Sequence, residues 1–164
     1  MNAAIIFYSF SGNTRRTAQF LKERLGSKGL TVDLIDLKLK EDVKTFFKQC
    51  QHALFKKTPE LTGADYNLEK YDFIVFASPV WAFTIAPALR SYLGHISSLE
   101  NKKAACFLTY GSGSGSAKAL RELEGFLREK GAHIMFSKNL SGFRTKNAAY
   151  LEERLRPLLE IITP

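Results

Sequence analysis

Residues 3–14 read Ala3-Ala4-Ile5-Ile6-Phe7-Tyr8-Ser9-Phe10-Ser11-Gly12-Asn13-Thr14, an apolar run that passes without a linker into hydroxyls, an amide and one glycine. Ala3 to Ser9 carries no charge and no alternation, as a strand buried on both faces does. Thr14 to Leu25 then sets Ala18, Leu21 and Leu25 on one face and Arg15, Arg16, Lys22 and Glu23 elsewhere, the period of a helix. A phosphate needs many hydrogen-bond donors at short range. The hydroxyls of Ser9, Ser11 and Thr14, the loop N–H groups and the helix N-terminus converge there. Gly12 lets the backbone turn tightly. The same residues also suit a plain turn with Asn13 or Thr14 as helix cap.

Outward from this turn, short apolar runs alternate with amphipathic stretches. Thr31 to Leu37 alternates as a strand, and Asp42 to about Phe55 reads as a helix with Val43, Phe46, Phe47, Cys50 and Leu54 as its stripe. Lys56 to Lys70, with Pro59 and Gly63, reads mostly as loop. Tyr71 to Ser78, Ala104 to Tyr110 and His133 to Leu140 supply three more strands. Ile85 to Gly94, Ala117 to Lys130 and Asn147 to Ile162 supply three more helices. Strict alternation of this kind implies a parallel sheet covered on both faces. Its ligands bind beyond the strand C-termini, where strand order reverses. In the order 2-1-3-4-5 the ends of strands one, three and four are neighbours.

The loops after strands three and four are as unusual as the first. Ser78-Pro79-Val80-Trp81-Ala82-Phe83 holds the only tryptophan of the chain beside a phenylalanine. An indole there suits stacking on a flat ring system, and equally suits plugging the sheet edge. Tyr110-Gly111-Ser112-Gly113 and the Gly/Ser run that follows offer an aromatic, exposed N–H groups and close backbone approach. A Gly/Ser run alone says little; three such loops at adjacent strand ends suit a phosphorylated planar cofactor.

Tyr8-Ser9-Phe10-Ser11-Gly12-Asn13-Thr14 resembles the phosphate loop of the flavodoxin family. Ser78-Pro79-Val80-Trp81 resembles that family's second flavin loop, with Pro87 at its later proline, and the stretch from Gly111 resembles the third. Ala53 to Leu61 is similar to a segment of some short members. The resemblance covers essentially the whole chain. It implies an α/β fold: one flavodoxin-like three-layer sandwich over residues 1–164, with a five-stranded parallel sheet in the order 2-1-3-4-5. It implies FMN as cofactor. Ser9, Phe10, Ser11, Gly12, Asn13 and Thr14 would surround the phosphate. Ser78, Pro79, Val80, Trp81, Ala82 and Phe83 would flank the ring system, and Tyr110, Gly111, Ser112 and Gly113 would cover its other side. Stacking on Trp81 would then lower the flavin's potential. The implied activity is electron carriage between redox partner proteins. The alternatives are an NAD(P)H-dependent reductase of flavin, quinones or another small acceptor, and a binding module that has lost the flavin.

Composition bounds the rest. The chain has 164 residues, 45% of them hydrophobic and 24% charged, as in ordinary globular proteins. The first apolar run is too short for a membrane span or a signal segment, so a cytoplasmic address is expected, with no membrane partner. The net charge of +8 departs from the acidic surfaces usual in shuttling flavodoxins. The cations are spread along the chain, so no specific nucleic-acid site is expected, and a monomer or homodimer is. Cys50 and Cys106 form no C-x-x-C pair and read as structural thiols, and neither is followed by arginine six residues on, as a small phosphatase requires. A phospho-receiver needs an aspartate where Ala77-Ser78 stand. No G-x-S-x-G elbow occurs, and His52, His95 and His133 lack metal-ligand spacing.

Overall fold

A computed structural model describes residues 1–40 and 58–162. The helix expected over Asp42 to about Phe55, together with Cys50 and His52, lies outside the described residues. The elements in chain order are β1 (Asn2–Phe7), α1 (Asn13–Ser27), β2 (Thr31–Asp36), β3 (Phe73–Trp81), β4 (Thr84–Ile85), α2 (Pro87–His95), β5 (Lys103–Tyr110), α3 (Ser116–Glu129), β6 (His133–Ser141), a 3₁₀ turn (Gly142–Arg144) and α4 (Ala148–Ile161). The sheet runs β2-β1-β3-β5-β6, every neighbour parallel. This is the expected order, renumbered by the two-residue strand β4, which pairs antiparallel with the end of β3.

Alternation along the central strands divides the core in two. Ala4, Ile6, Ile74, Phe76, Ala104 and Cys106 point to the side of α2 and α3, where Leu89, Tyr92, Leu93, Leu123 and Leu127 meet them. Ala3, Ile5, Phe7, Phe73, Val75, Ala105 and Phe107 point to α1 and α4, onto Ala18, Leu21, Leu25, Leu151, Leu155 and Leu158. A strand buried on both faces needs no polar alternation, which is why β1, β3 and β5 read as continuous apolar runs. Strand β6 is a sheet edge, and most of it is only half-buried.

One boundary differs from expectation in a way that shapes the site. Strand β3 continues to Trp81 instead of ending at Ser78, because Val80 pairs with Ile85 and Trp81 with Thr84 in a tight hairpin. Its two turn residues, Ala82 (φ 44°) and Phe83 (φ 65°), both have left-handed backbone. A two-residue hairpin demands that geometry and normally recruits Gly, Asn or Asp for it, so the sequence carried no turn signal here. Asn147 caps α4, its Oδ1 accepting from the Tyr150 N–H at 3.0 Å.

Candidate functional site

Parallel pairing brings the C-terminal ends of β1, β3 and β5 to one edge, with the turns after β2 and β6 on either flank. The first turn of α1 opens on Gly12 (φ 84°), and no side chain caps it. Its leading N–H groups therefore lack intrahelical partners. The helix's first bond runs from the Arg16 N–H to the Gly12 carbonyl at 2.9 Å. Beside this turn the Ser9 Oγ is buried without a hydrogen-bond partner. A buried hydroxyl left unpaired is costly. A helix N-terminus flanked by an unpaired hydroxyl is what an anion satisfies.

Not every expected phosphate ligand turns its side chain to that place. Thr14 is buried, and its Oγ1 lies 2.8 Å from the Thr109 Oγ1. The Asn13 Oδ1 accepts from the Arg16 guanidinium at 3.2 Å and from the Thr145 hydroxyl at 3.3 Å. Thr145 also takes a bond from Arg16 at 3.1 Å, and its one hydroxyl proton is shared between that Asn13 oxygen and the nearer Gly142 carbonyl at 2.8 Å. These two side chains thus pin the loop to β5 and to the turn after β6 through the Thr14 hydroxyl and the Asn13 Oδ1. Ser11 is exposed. Gly142 admits no side chain: an added Cβ would stand 2.9 Å from the Asn13 Nδ2 and 3.1 Å from the Tyr110 carbonyl.

The second loop departs further from expectation. Ser78 is fully buried; its hydroxyl accepts from the Ala86 N–H at 2.9 Å and donates to the Pro79 carbonyl at 2.8 Å, which makes it a strut of the hairpin. The Trp81 ring is only 5% exposed and meets Tyr8 and Phe10 edge-on, with centroids 5.6 and 5.8 Å away. A ring so covered presents no open face, so of the two readings of Trp81 the structure supports the core plug. The open aromatic at this loop is Phe83, 53% exposed. Phe83 lies over Gly115, where a Cβ would come within 2.1 Å of its ring. Tyr110 packs on Gly113 in the same way, at 3.3 Å. The glycines of the third loop therefore seat two aromatics.

Two hollows open at this edge. One of about 480 Å³ is lined by Tyr8, Ser9, Phe10, Arg15 and the turn Leu37 to Leu39. The other, about 250 Å³, is lined by Val80, Ala82, Phe83 and Tyr110 to Ser114. Asp36 holds Arg15 at 2.7 Å and Lys38 at 2.6 Å beside the first. A larger groove of about 600 Å³ runs between α1 and α4, far from these strand ends. Its charges answer one another, Arg24 to Glu152 at 2.7 Å, so it reads as the seam of two helices.

Sequence reasoning missed the residues that hold the hairpin. Arg90 is 6% exposed and reaches the Glu122 carboxylate at 2.6 Å; the Thr84 hydroxyl binds both, and the Ile85 N–H donates to Glu122 at 3.4 Å. The apolar character of α2 hid this cation. A charged residue within the buried stretch Pro87 to Leu93 was the available signal.

The profile of the NADPH-dependent FMN reductase family matches residues 1–144, which takes in all three strand-end loops. Among solved structures, a flavoprotein in complex with FMN from Lactobacillus acidophilus NCFM superposes with a TM-score of 0.69 at 21% identity, over 90% of this chain and 98% of that one. Oxidised flavodoxin 2 from Bacillus cereus gives 0.69 at 18% identity, over 99% and 100%. An archaeal flavodoxin gives 0.69 at 18%, over 98% and 96%. These likenesses speak for the fold. No curated protein sequence matches. FMN, the cofactor that the resemblance implied, is also the flavin of the matched family. A doubly wound sheet with an uncapped helix turn at its reversal point, matched over most of its length, has one assignment: the chain belongs to the NADPH-dependent FMN reductase family and has the flavodoxin-like fold.

Proposed function

We propose that the protein holds FMN at the ends of β1, β3 and β5 and passes electrons from NADPH through it to an acceptor. The buried, unpartnered Ser9 Oγ beside the uncapped start of α1 carries this reading. Ser9 and the N–H groups of Gly12, Asn13 and Thr14 would receive the phosphate. Phe83, Tyr110 and the Gly111 to Gly113 backbone would border the ring system. When bound, the flavin supplies the redox chemistry: two electrons taken up together and released together or singly. The residues of the chain position it, exclude water from one side and set its potential through nearby backbone dipoles. The family match supports NADPH as donor, and so does the positive charge of the chain, which draws an anionic dinucleotide.

Two measurements test it. FMN fluorescence should be quenched on titration with the apoprotein, and riboflavin, lacking the phosphate, should be quenched far less. Loaded protein should then oxidise NADPH steadily when an acceptor such as a quinone is present. FMN binding without NADPH turnover would make the protein a carrier fed by another protein, and failure to bind FMN would end the reading.

A further inference from the structure

All the strongly exposed phenylalanines among the described residues lie at one edge: Phe10 at 42%, Phe83 at 53% and Phe143 at 82%. They sit on three different turns, after β1, β3 and β6. Among the described residues the same edge also carries an excess of positive charge. Arg15, Arg16, Lys38, Lys118, Arg144 and Lys146 stand in the turns after the strands or in the first turn of the helix that follows, with Asp36 as the carboxylate among them, while Lys40 pairs with Glu60 at 2.7 Å. At the opposite edge charges nearly balance: Lys28, Lys70, Lys102, Lys103 and Lys130 are answered by Glu69, Asp72, Glu100 and Glu129. Exposed rings within a rim of like charge are the composition of a protein-docking surface.

We propose that this edge docks an acidic redox protein, which exchanges electrons with the flavin there. The inference rests on the proposed function for the flavin's place at this edge. A second copy of the chain is a poor occupant, since two molecules of charge +8 would bring their positive edges together. An acidic partner is steered in by the field, and Phe83 and Phe143 then give contacts that shed water. The turn carrying Phe143 is rigidly placed, because Thr145 ties it to Asn13 and Arg16 of the phosphate loop. Exchange is in single electrons. A flavin carrying two electrons from NADPH serves two one-electron partners, each reduced by one, and its protons pass to water.

The probe is cytochrome c in two forms, native and basic, or succinylated and acidic, so that one haem protein is offered with either sign of charge. Binding is read by titration calorimetry at low ionic strength, with no redox step involved. The succinylated form should bind at least tenfold tighter than the native form, and the difference should vanish at high salt. Lys118→Glu with Lys146→Glu should weaken that binding at least tenfold. Lys22→Glu with Lys103→Glu, an equal charge change away from the edge, should leave it within about twofold. Phe143→Ser should weaken it severalfold without lowering the melting temperature. Equal binding of the two cytochromes, or equal loss in both double variants, overturns the proposal. So does duplex DNA that displaces the succinylated form at equal ionic strength, since the edge would then be a polyanion site. Charge-selective binding in a protein that fails to oxidise NADPH would refute the donor and leave the docking surface standing.

Discussion

Single side chains at the strand ends do different work from their neighbours, and substitution separates them. Ser9→Ala removes a buried hydroxyl that has no partner in the protein, so the free protein should unfold at the same urea concentration or a slightly higher one. FMN affinity should fall about tenfold, the worth of one hydrogen bond to a charged group, while riboflavin affinity stays unchanged. Equal losses for both flavins would take Ser9 away from the phosphate. Two glycines make a second contrast. At Gly12 a Cβ meets nothing within 4 Å, so Gly12→Ala suffers only the left-handed backbone, about 1 kcal/mol. At Gly115 (φ 72°) the new Cβ would also come within 2.7 Å of the Phe83 Cβ, an atom that moves only with its backbone. Gly115→Ala should therefore cost about 2–3 kcal/mol in urea unfolding and weaken riboflavin as well as FMN, because the hairpin must shift. The sequence showed the three hydroxyls of the first loop but not their division of labour. Thr14 is claimed by Thr109, 95 positions away, and Asn13 by Thr145, 132 away, and no local pattern encodes such partners.

At the scale of elements, the hairpin β3–β4 is the piece that sequence reasoning could not see. Its turn, Ala82-Phe83, holds left-handed backbone without glycine, so the strain must be carried by its surroundings. The surroundings are Ser78 beneath it, Gly115 beside it and the Arg90–Glu122–Thr84 cluster behind it. Once β3 runs on to Trp81, the indole turns inward and meets Tyr8 and Phe10 edge-on, the packing expected of the plug at the sheet edge. The Nε and Nη1 of Arg90 are already buried without partners. Glu122→Ala would leave the whole cation uncompensated, at a cost of about 3 kcal/mol or more, whereas Arg90→Met with Glu122→Leu should recover most of it. A double-mutant cycle by urea denaturation measures this. Additive losses would mean that the pair is not coupled, and that the hairpin is held by its backbone pairing alone.

Across the whole molecule, the order of elements was legible because two-sided burial leaves a simple trace. Runs such as Ala3 to Phe7 and Ala104 to Leu108 have no polar residue until the strand reaches the ligand edge. The same burial sets the response to alkali. Cys106 stands on β5, beside the central strand β3 and fully covered, and burial above all pushes its thiol up from 9.0 to about 12, with Glu124 adding to the rise. Tyr92, buried on α2 in the same core cluster, is raised as well. A raised pKa means that the folded protein keeps a proton that the unfolded chain surrenders. The stabilisation from Cys106 is thus complete below about pH 9 and drains away as the pH climbs towards 12. Each bound proton in excess contributes a slope of about 1.4 kcal/mol per pH unit. Urea unfolding of the parent should steepen in its pH dependence above pH 9. Cys106→Ala, weaker at neutral pH because of the cavity it leaves, should close the gap by about 1 kcal/mol or more between pH 9 and 10.5. Iodoacetamide with peptide mapping gives an independent check: at pH 8 Cys106 should stay unlabelled in the folded protein and react fully in urea. Labelling in the folded protein at pH 8 would mean that the sheet opens around β5 far more often than a core strand does, and the alkaline loss would then have to come from Tyr92 and the surface.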